Sequence, residues 1–382
     1  MPLYHLLNQA QLIELAAKQG WLEGVSALSR RFEDIPPIDY FSSGRRGTLP
    51  EARLETLSRM RMRIPTAIIH GQNFSLIIED KIFPGGFAHS FGTSAAWKPT
   101  AGGQFYYRPK GMRRVEAKSP CLLGMTSHWG HFFVDALDRL FQLEELKRLD
   151  APLLIGDPDF LDLRPQVDDR HSVPQVSELM RLLGVRLDPG NVIPILKQFD
   201  YEASDITVCT LESIKPAISS GSFRMLRQRL LGEVGQVLDD SREFIFVGRS
   251  DIKKRFILNQ QALMGYLERV HKAETVFPEH LTVEQAIRTF SSASRIIIPI
   301  GSAIFNLAFC RPGTKVVCIT PRDYAAQNAG VALMTRHLCH ALGLKLAYYE
   351  VEIREKHPLI NSDMIISEAD IGNIVDVFEN MA

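Results

Sequence analysis

A two-domain α/β protein is what this sequence predicts, and three observations predict it. The chain has 382 residues and 45% hydrophobic content, enough for two globular cores. From about residue 243 onward, strand-like and helix-like stretches alternate at the spacing of right-handed βαβ crossovers, which makes a parallel sheet. The strand-like runs there are almost continuously apolar, Arg295–Ile300 being rich in isoleucine, as expected of strands covered on both faces.

Each element follows from local pattern. Residues 1–30 carry helical periodicity, and Met1–Trp21, with Gln9, Gln11, Glu14 and Lys18 among its leucines, reads as an amphipathic helix. The stretch from Glu33 to Pro50 reads as a loop, broken by Pro36-Pro37, Gly44 and Gly47. Thr66–His70, Phe74–Glu79 and Gln104–Tyr107 read as hairpin or edge strands between glycine-rich turns. Cys121–Met125 is a short buried strand, and a helix from His128 to about Lys147 follows it. Beyond Asp150 come strands at Pro152–Ile155, Asn191–Leu196 and Ile206–Thr210, with helices at Val176–Leu183 and Gly221–Leu231. Gly232–Asp240 is where the chain is expected to cross between domains. The second half has strands at Glu243–Val247, Ala273–Phe277, Arg295–Ile300, Lys315–Ile319 and Lys345–Val351. Its helices are Asn259–Val270, Thr282–Ser291, Ser302–Phe309, Val331–Leu342 and Ile366–Glu379. Thr282-Val283-Glu284-Gln285 is a capping box. The expected division is a helical segment and loop at 1–60, a first domain at 61–235, a second at 236–350, and a tail with a closing helix at 351–382.

Composition removes several function classes. Basic and acidic side chains number 44 each, so no global field draws the protein to nucleic acid. The five cysteines are scattered and lack metal-ligand spacing, which fits free thiols in a reducing compartment. The N-terminal helix is too polar for a signal peptide or a membrane span. A cytoplasmic protein is expected, that helix packing on the core or lying peripherally at the inner face of the membrane. No Walker A loop, Gly-x-Ser-x-Gly elbow, Gly-x-Gly-x-x-Gly fingerprint or Asp-x-Asp metal hook is present. Asp157-Pro-Asp159 fits the last by letter alone. His337 and His340, on a late helix, read as packing or surface residues, and no metal site is expected.

Three segments carry possible chemistry. In the helix after Cys121–Met125, His131, Asp135, Asp138, Arg139 and Gln142 share one stripe at 3.6-residue spacing. His131 and Asp135, one turn apart, can hydrogen-bond each other or aim at one substrate, and a desolvated carboxylate there suits general-base work on a hydroxyl. A solvated polar face is the plain structural alternative. The loop after Glu243–Val247 holds Arg249, Lys253, Lys254 and Arg255, cations placed to neutralise a pyrophosphate. Third, Ile300-Gly301-Ser302-Ala303 reads as a strand, a glycine turn and a helix start. The amides of Ser302 to Ile304 would face an anion there, although ordinary βα turns use the same residues. Glu279 or Glu284 could hold a ribose, with a helix-cap role as the alternative for Glu284.

Together these segments resemble glycosyltransferase family 61. The first family motif is similar to His128-Trp129-Gly130-His131-Phe132-Phe133-Val134-Asp135, with histidine replacing the leading asparagine. The second is similar to Arg249, Arg255, Ile257 and Asn259. The third is similar to Glu284-Gln285, Gly301-Ser302-Ala303, Asn306, Phe309 and Pro312-Gly313-Thr314. One departure stands out: Ile300 occupies the place of the family's histidine. The resemblance implies a GT-B-like fold, two Rossmann-like domains facing each other across a cleft. It further implies inverting, metal-independent transfer of a hexose or pentose from a nucleoside-diphosphate sugar, uridine-linked, to a saccharide hydroxyl. With no membrane anchor read in the sequence and a reducing-type cysteine pattern, surface or capsular polysaccharide synthesis in the cytoplasm is the expected setting. Asp135 is then the catalytic base with His131 as its partner or substitute. Arg249, Arg255, Asn259, Gly301, Ser302, Ala303, Asn306 and Glu279 are then donor-binding, and no cofactor is needed. The rivals are a non-catalytic nucleotide- or glycan-binding protein of the same fold and a different polysaccharide-modifying transferase, pyruvyl or fucosyl.

Overall fold

In the computed structural model, the described residues are 3–6, 9–25, 31–42, 45–56, 59–71, 74–83, 97–99, 104–107, 111–125, 129–156, 174–188, 190–196, 198–210, 218–234, 243–250, 257–324, 330–355 and 363–381. The chain forms two compact units that are not contiguous in sequence. One is Met1–Arg31 with Leu57–Ile214, the other Phe32–Thr56 with Lys215–Ala382. The chain therefore changes unit at 31/32, 56/57 and 214/215, and Ser220–Val234, which includes part of the expected crossing, is a helix of the second unit.

In the first unit, Met60–His70 runs antiparallel to Phe199–Cys209, while Cys121–Met125 lies parallel to both Phe199–Cys209 and Leu153–Gly156. Val192–Ile195 extends the parallel part. Apolar side chains such as Leu122, Leu154 and Ile206 fill the core, each 1% exposed or less. The N-terminus departs from one long helix. Leu3–Leu6 is a strand paired with Gln104–Tyr107, and the helix is confined to Gln9–Lys18. Gly20, at φ 69°, follows that helix in the left-handed conformation glycine favours. Leu12 and Ala16 on this helix are fully buried in the core, so its apolar face is already covered within the unit. Among the described residues, no helix is long and apolar enough to cross a membrane.

The second unit holds the parallel sheet. Its strands run in the order Glu274–Val276, Glu243–Val247, Ala293–Pro299, Lys315–Pro321, Lys345–Glu355, Ile38–Ser42, all parallel. Ile296, Ile297 and Ile298 are fully buried, as the central place of their strand requires. Thr282 and Gln285 close the expected capping box, Gln285 N–H donating to the Thr282 hydroxyl at 3.1 Å and Thr282 N–H to the Gln285 carbonyl at 2.9 Å. The closing helix is Glu368–Asp376, continued as a 3₁₀ turn through Asn380. Ile374 and Phe378 lie in the same core as the sheet.

The expected loop at 33–50 is instead largely strand. Ile38–Ser42 joins the sheet edge beside Lys345–Glu355, and Arg45–Leu49 pairs antiparallel with it. Pro36 and Pro50 cannot donate, but their carbonyls accept from the buried Arg336 guanidinium at 2.9 and 2.8 Å. Nearby, Ile218 N–H donates to His337 Nδ1 at 3.1 Å, so the ring carries its hydrogen on Nε2. Nε2 lies 3.0 Å from Glu33 Oε2 and 2.7 Å from Ser220 Oγ, and the Ser220 hydroxyl also donates to Glu33 at 2.9 Å. Serine, histidine and glutamate thus meet, but not as a nucleophile and its base. Both partners sit on the same ring nitrogen, and the other nitrogen's lone pair is already taken.

The result is a fastening for the inserted segment, and it is sensitive to acid. The His337 hydrogen bond, with the Ser220 hydroxyl adding to it against the opposing effect of burial, lowers the Glu33 carboxyl from 4.5 to about 2. A depressed carboxylate contributes stability that is complete above its unfolded value, here 4.5, and is lost as pH falls toward about 2. Solvent screens the exposed part of this pair, so the contribution is on the order of 1 kcal/mol. Urea unfolding between pH 6 and pH 2 should therefore show a Glu33→Gln variant with a flatter acid limb than wild type. Parallel limbs would remove the fastening role.

Candidate active site

In the first unit, the segment after Cys121–Met125 is a helix of three characters. Trp129–His131 is α-helical, Phe132–Ala136 is a π turn, and Leu137–Glu145 is α-helical again. A π turn inserts a residue into the helical pitch, and such insertions concentrate at functional sites. It also breaks the stripe expected from a uniform 3.6-residue period. Beyond the break, Asp138, Arg139 and Gln142 are not a substrate-facing row. They are 3%, 0% and 0% exposed and fasten the helix to its sheet. Arg59 pairs with Asp138 at 2.7 Å, Arg139 Nε donates to the Cys209 carbonyl at 2.9 Å, and Gln142 donates to the Thr210 carbonyl at 2.7 Å.

The backbone of Asp135 lies within the π turn and that of His131 just before it, while their side chains lie outside what the structure describes. Phe132, Phe133 and Ala136 around them are buried. Trp129 meets Phe133 edge-on at 4.9 Å, and Phe133 meets Phe132 at 5.5 Å. The π turn is therefore set in aromatic packing, which keeps water from its inner side.

The second cluster lies entirely in the second unit, at the carboxyl ends of adjacent parallel strands, where open α/β sheets bind ligands. Glu243–Val247 ends in Gly248-Arg249-Ser250, Glu274–Val276 in Phe277 to His280, and Ala293–Pro299 in Ile300-Gly301. A Cβ on Gly248 would stand 2.7 Å from the Phe277 ring, so the first two ends approach too closely for a side chain. Arg249, 4% exposed, donates from Nη2 to the Ile300 carbonyl at 2.6 Å. The loop and the glycine turn, 51 residues apart in sequence, therefore meet directly.

The remaining predicted residues divide by what they touch. Ser302 is exposed, and Gly301 rather than Ser302 occupies the cap of the 3₁₀ helix Ser302–Phe309. The Ile304 amide, expected to face an anion, is bonded to the Gly301 carbonyl at 3.1 Å. Ser302 and Ala303 supply the first amides of the turn, which a helix does not satisfy internally. Asn306 is buried and donates to the Ala303 carbonyl at 3.0 Å, tightening that turn. Asn259 bonds both main-chain groups of Ile366, at 2.6 and 3.0 Å, so its side chain links elements of the unit. Glu279 Oε1 accepts from the Ser250 amide and hydroxyl, each at 2.8 Å, and the hydroxyl lies 3.2 Å from His280 Nε2. Arg255, with Lys253 and Lys254, lies outside the described residues, as does His128. Among the described residues, no group of three or more His, Cys, Asp or Glu is placed to hold a metal ion.

Gln260 is a residue that motif reading passed over. It is 3% exposed, and its side-chain amide bonds both the N–H and the carbonyl of Arg249 at 3.0 Å each. The available signal was a polar residue directly after Asn259 at a helix start, where its neighbour drew the attention.

Residues 129–317 match a family model described as Glycosyltransferase 61. The match begins at the helix that contains the π turn, covers the Gly248 loop and the Gly301 turn, and ends within the strand Lys315–Pro321. No curated protein matches the chain.

Proposed function

The chain belongs to glycosyltransferase family 61, and from that premise we propose an inverting, metal-independent transfer of a sugar from a nucleoside-diphosphate donor, uridine-linked, to a saccharide hydroxyl. The observation that carries the reading is the bond from Arg249 to the Ile300 carbonyl. It joins the cationic loop and the amide-bearing turn at the carboxyl ends of neighbouring parallel strands, and the helix-start amides there suit a diphosphate. In this reading the second unit takes the donor, with Arg255 and the Ser302 and Ala303 amides against the phosphates. The first unit takes the acceptor at Asp135, with His131 as the base's partner. The GT-B arrangement, a hexose or pentose as cargo, a cytoplasmic setting and a role in surface or capsular polysaccharide synthesis belong to the same proposal.

The chemistry is one displacement. Asp135 accepts the proton of the acceptor hydroxyl as that oxygen attacks the anomeric carbon from the face opposite the phosphate. The bond from that carbon to the phosphate oxygen breaks, its electron pair leaving with the nucleoside diphosphate. Preorganised donors at the phosphates stabilise the charge that builds there. Cationic side chains supply positive charge to the same oxygens.

A panel of nucleoside-diphosphate sugars with saccharide acceptors tests this, read as release of nucleoside diphosphate and as the anomeric configuration of the product. Inverted product is expected. Arg255→Ala should lower turnover by about 10²-fold, the scale of losing one charge-stabilising donor. Ile300, 1% exposed, gives the non-catalytic rival its footing, because an apolar side chain stands where relatives carry histidine. Nucleotide binding with no diphosphate release across the panel would favour that rival, and a retained configuration would end the single-displacement mechanism.

A further inference from the structure

We infer that Arg249 and Gln260 are positioning residues, and that Arg249 acts on the donor phosphates through the Ile300–Gly301 peptide rather than by touching them. The inference rests on the donor site proposed at Ser302, but the bonds that motivate it involve no ligand. Gln260 Oε1 accepts from the Arg249 N–H and Gln260 Nε2 donates to the Arg249 carbonyl, both at 3.0 Å. One buried side-chain amide thus satisfies both main-chain groups of one loop residue, as a neighbouring strand's peptide would. The residues on either side are fixed as well. Gly248 N–H bonds to the Val276 carbonyl at 2.8 Å, and Ser250 is held by Glu279 through both its amide and its hydroxyl.

With its main chain locked, Arg249 extends a guanidinium whose planar fork has a fixed direction. Nη2 reaches the Ile300 carbonyl at 2.6 Å, a short charge-assisted bond, in a residue 4% exposed. The Ile300 N–H is bonded to the Ile319 carbonyl at 2.9 Å. Residue 300 is therefore tied at its amide by a neighbouring strand and at its carbonyl by a cation. The peptide that begins at this carbonyl carries the Gly301 N–H at its other end. A cation on the oxygen polarises the whole unit and makes that N–H a better donor. Positive charge is delivered to the turn through a peptide, and the amides of Ser302 and Ala303 follow from a fixed starting point. Residue 300 takes part through its main chain, so the isoleucine side chain plays no part in the link.

Hydrogen exchange on the full chain without nucleotide tests the clamp. Gln260→Leu removes both amide bonds at similar volume, and Arg249→Met removes the cation. Each should speed exchange at the Ile300 and Ile304 amides, which are bonded to the Ile319 and Gly301 carbonyls, by about tenfold or more, while the sheet core keeps its protection. Calorimetry with uridine diphosphate should then show affinity lowered by about tenfold in both. Gln260→Glu keeps the acceptor for Arg249 N–H and loses the donor to its carbonyl. It should fall between wild type and Gln260→Leu, and it serves as the reading should Gln260→Leu unfold. Unchanged exchange in the variants overturns the clamp. Weakened uridine diphosphate binding by Arg249→Met with normal exchange also overturns it, because Arg249 would then touch the ligand. Faster exchange in a chain whose wild type binds no nucleotide keeps the clamp and ends the donor-site reading.

Discussion

Asp135→Asn should lower the rate of sugar transfer by about 10²- to 10⁴-fold, the usual contribution of a positioned general base, while nucleotide binding stays at the wild-type level. Asparagine keeps the size and one carbonyl oxygen of the carboxylate but cannot take the acceptor's proton. The expected split follows from where the two activities reside. Asp135 lies in the π turn Phe132–Ala136 of the first unit, and the proposed phosphate contacts lie in the second. Release of nucleoside diphosphate measures turnover, and calorimetry with uridine diphosphate measures binding. His131→Gln is the companion variant, with a smaller expected loss if the imidazole only orients the carboxylate. A large loss in His131→Gln beside a near-normal Asp135→Asn would exchange their roles. Two near-normal variants would remove the base from this helix altogether.

How much of this was legible depends on the reach of each interaction. The isoleucine-rich strand and the Thr282 capping box could be read because their causes are local, a run of apolar side chains and a pair three residues apart. The edge hairpin at Ile38–Leu49 could not. Its first strand is half-buried at every position, so alternation gives no signal, and its partner across the ladder, Tyr348 against Tyr40, is far along the chain. The polar stripe misled for a different reason. A 3.6-residue count assumes an uninterrupted α-helix, and the π turn at Phe132–Ala136 ends that assumption between Asp135 and Asp138. Asp138, Arg139 and Gln142 were then claimed by Arg59, Cys209 and Thr210, partners that no window on the helix contains.

The two candidate regions show the same division. Motif letters pointed to both the Gly301 turn and the Arg249 loop, through a glycine at φ 156° and an arginine that bonds the Ile300 carbonyl. The letters did not separate residues that face a ligand from residues that hold the frame. Asn259 closes on Ile366, Asn306 on Ala303, and Glu279 on Ser250. A polar residue near a phosphate loop and a polar residue bracing that loop are the same in sequence, and only bond partners distinguish them.

Bracing also decides the largest expected loss of stability, at Gly71. This residue follows the strand Met60–His70, and its N–H donates to the Phe199 carbonyl at 3.1 Å. A Cβ there would stand 2.2 Å from the Leu196 oxygen and 2.3 Å from the Phe199 oxygen. Both obstacles are main chain, so no side-chain rotation relieves them. Gly71→Ala has to push the start of Phe199–Cys209 away from its register with Met60–His70, where His70 faces Asp200 and both are fully buried. A cost of about 3 kcal/mol or more is expected, lowering the melting temperature by roughly 6–12 °C for a unit of this size. Gly265→Ala is the contrast, since nothing lies within 4 Å of its Cβ and the site is an exposed helix interior. It should stabilise by about 0.5–1 kcal/mol. Calorimetric melting of both variants gives the comparison, and a Gly71→Ala protein that melts with wild type would refute the clash. The strand moved by Gly71→Ala ends at Cys209, whose carbonyl holds Arg139 of the helix that follows the π turn. Transfer activity should therefore fall in Gly71→Ala at temperatures where the protein is still folded.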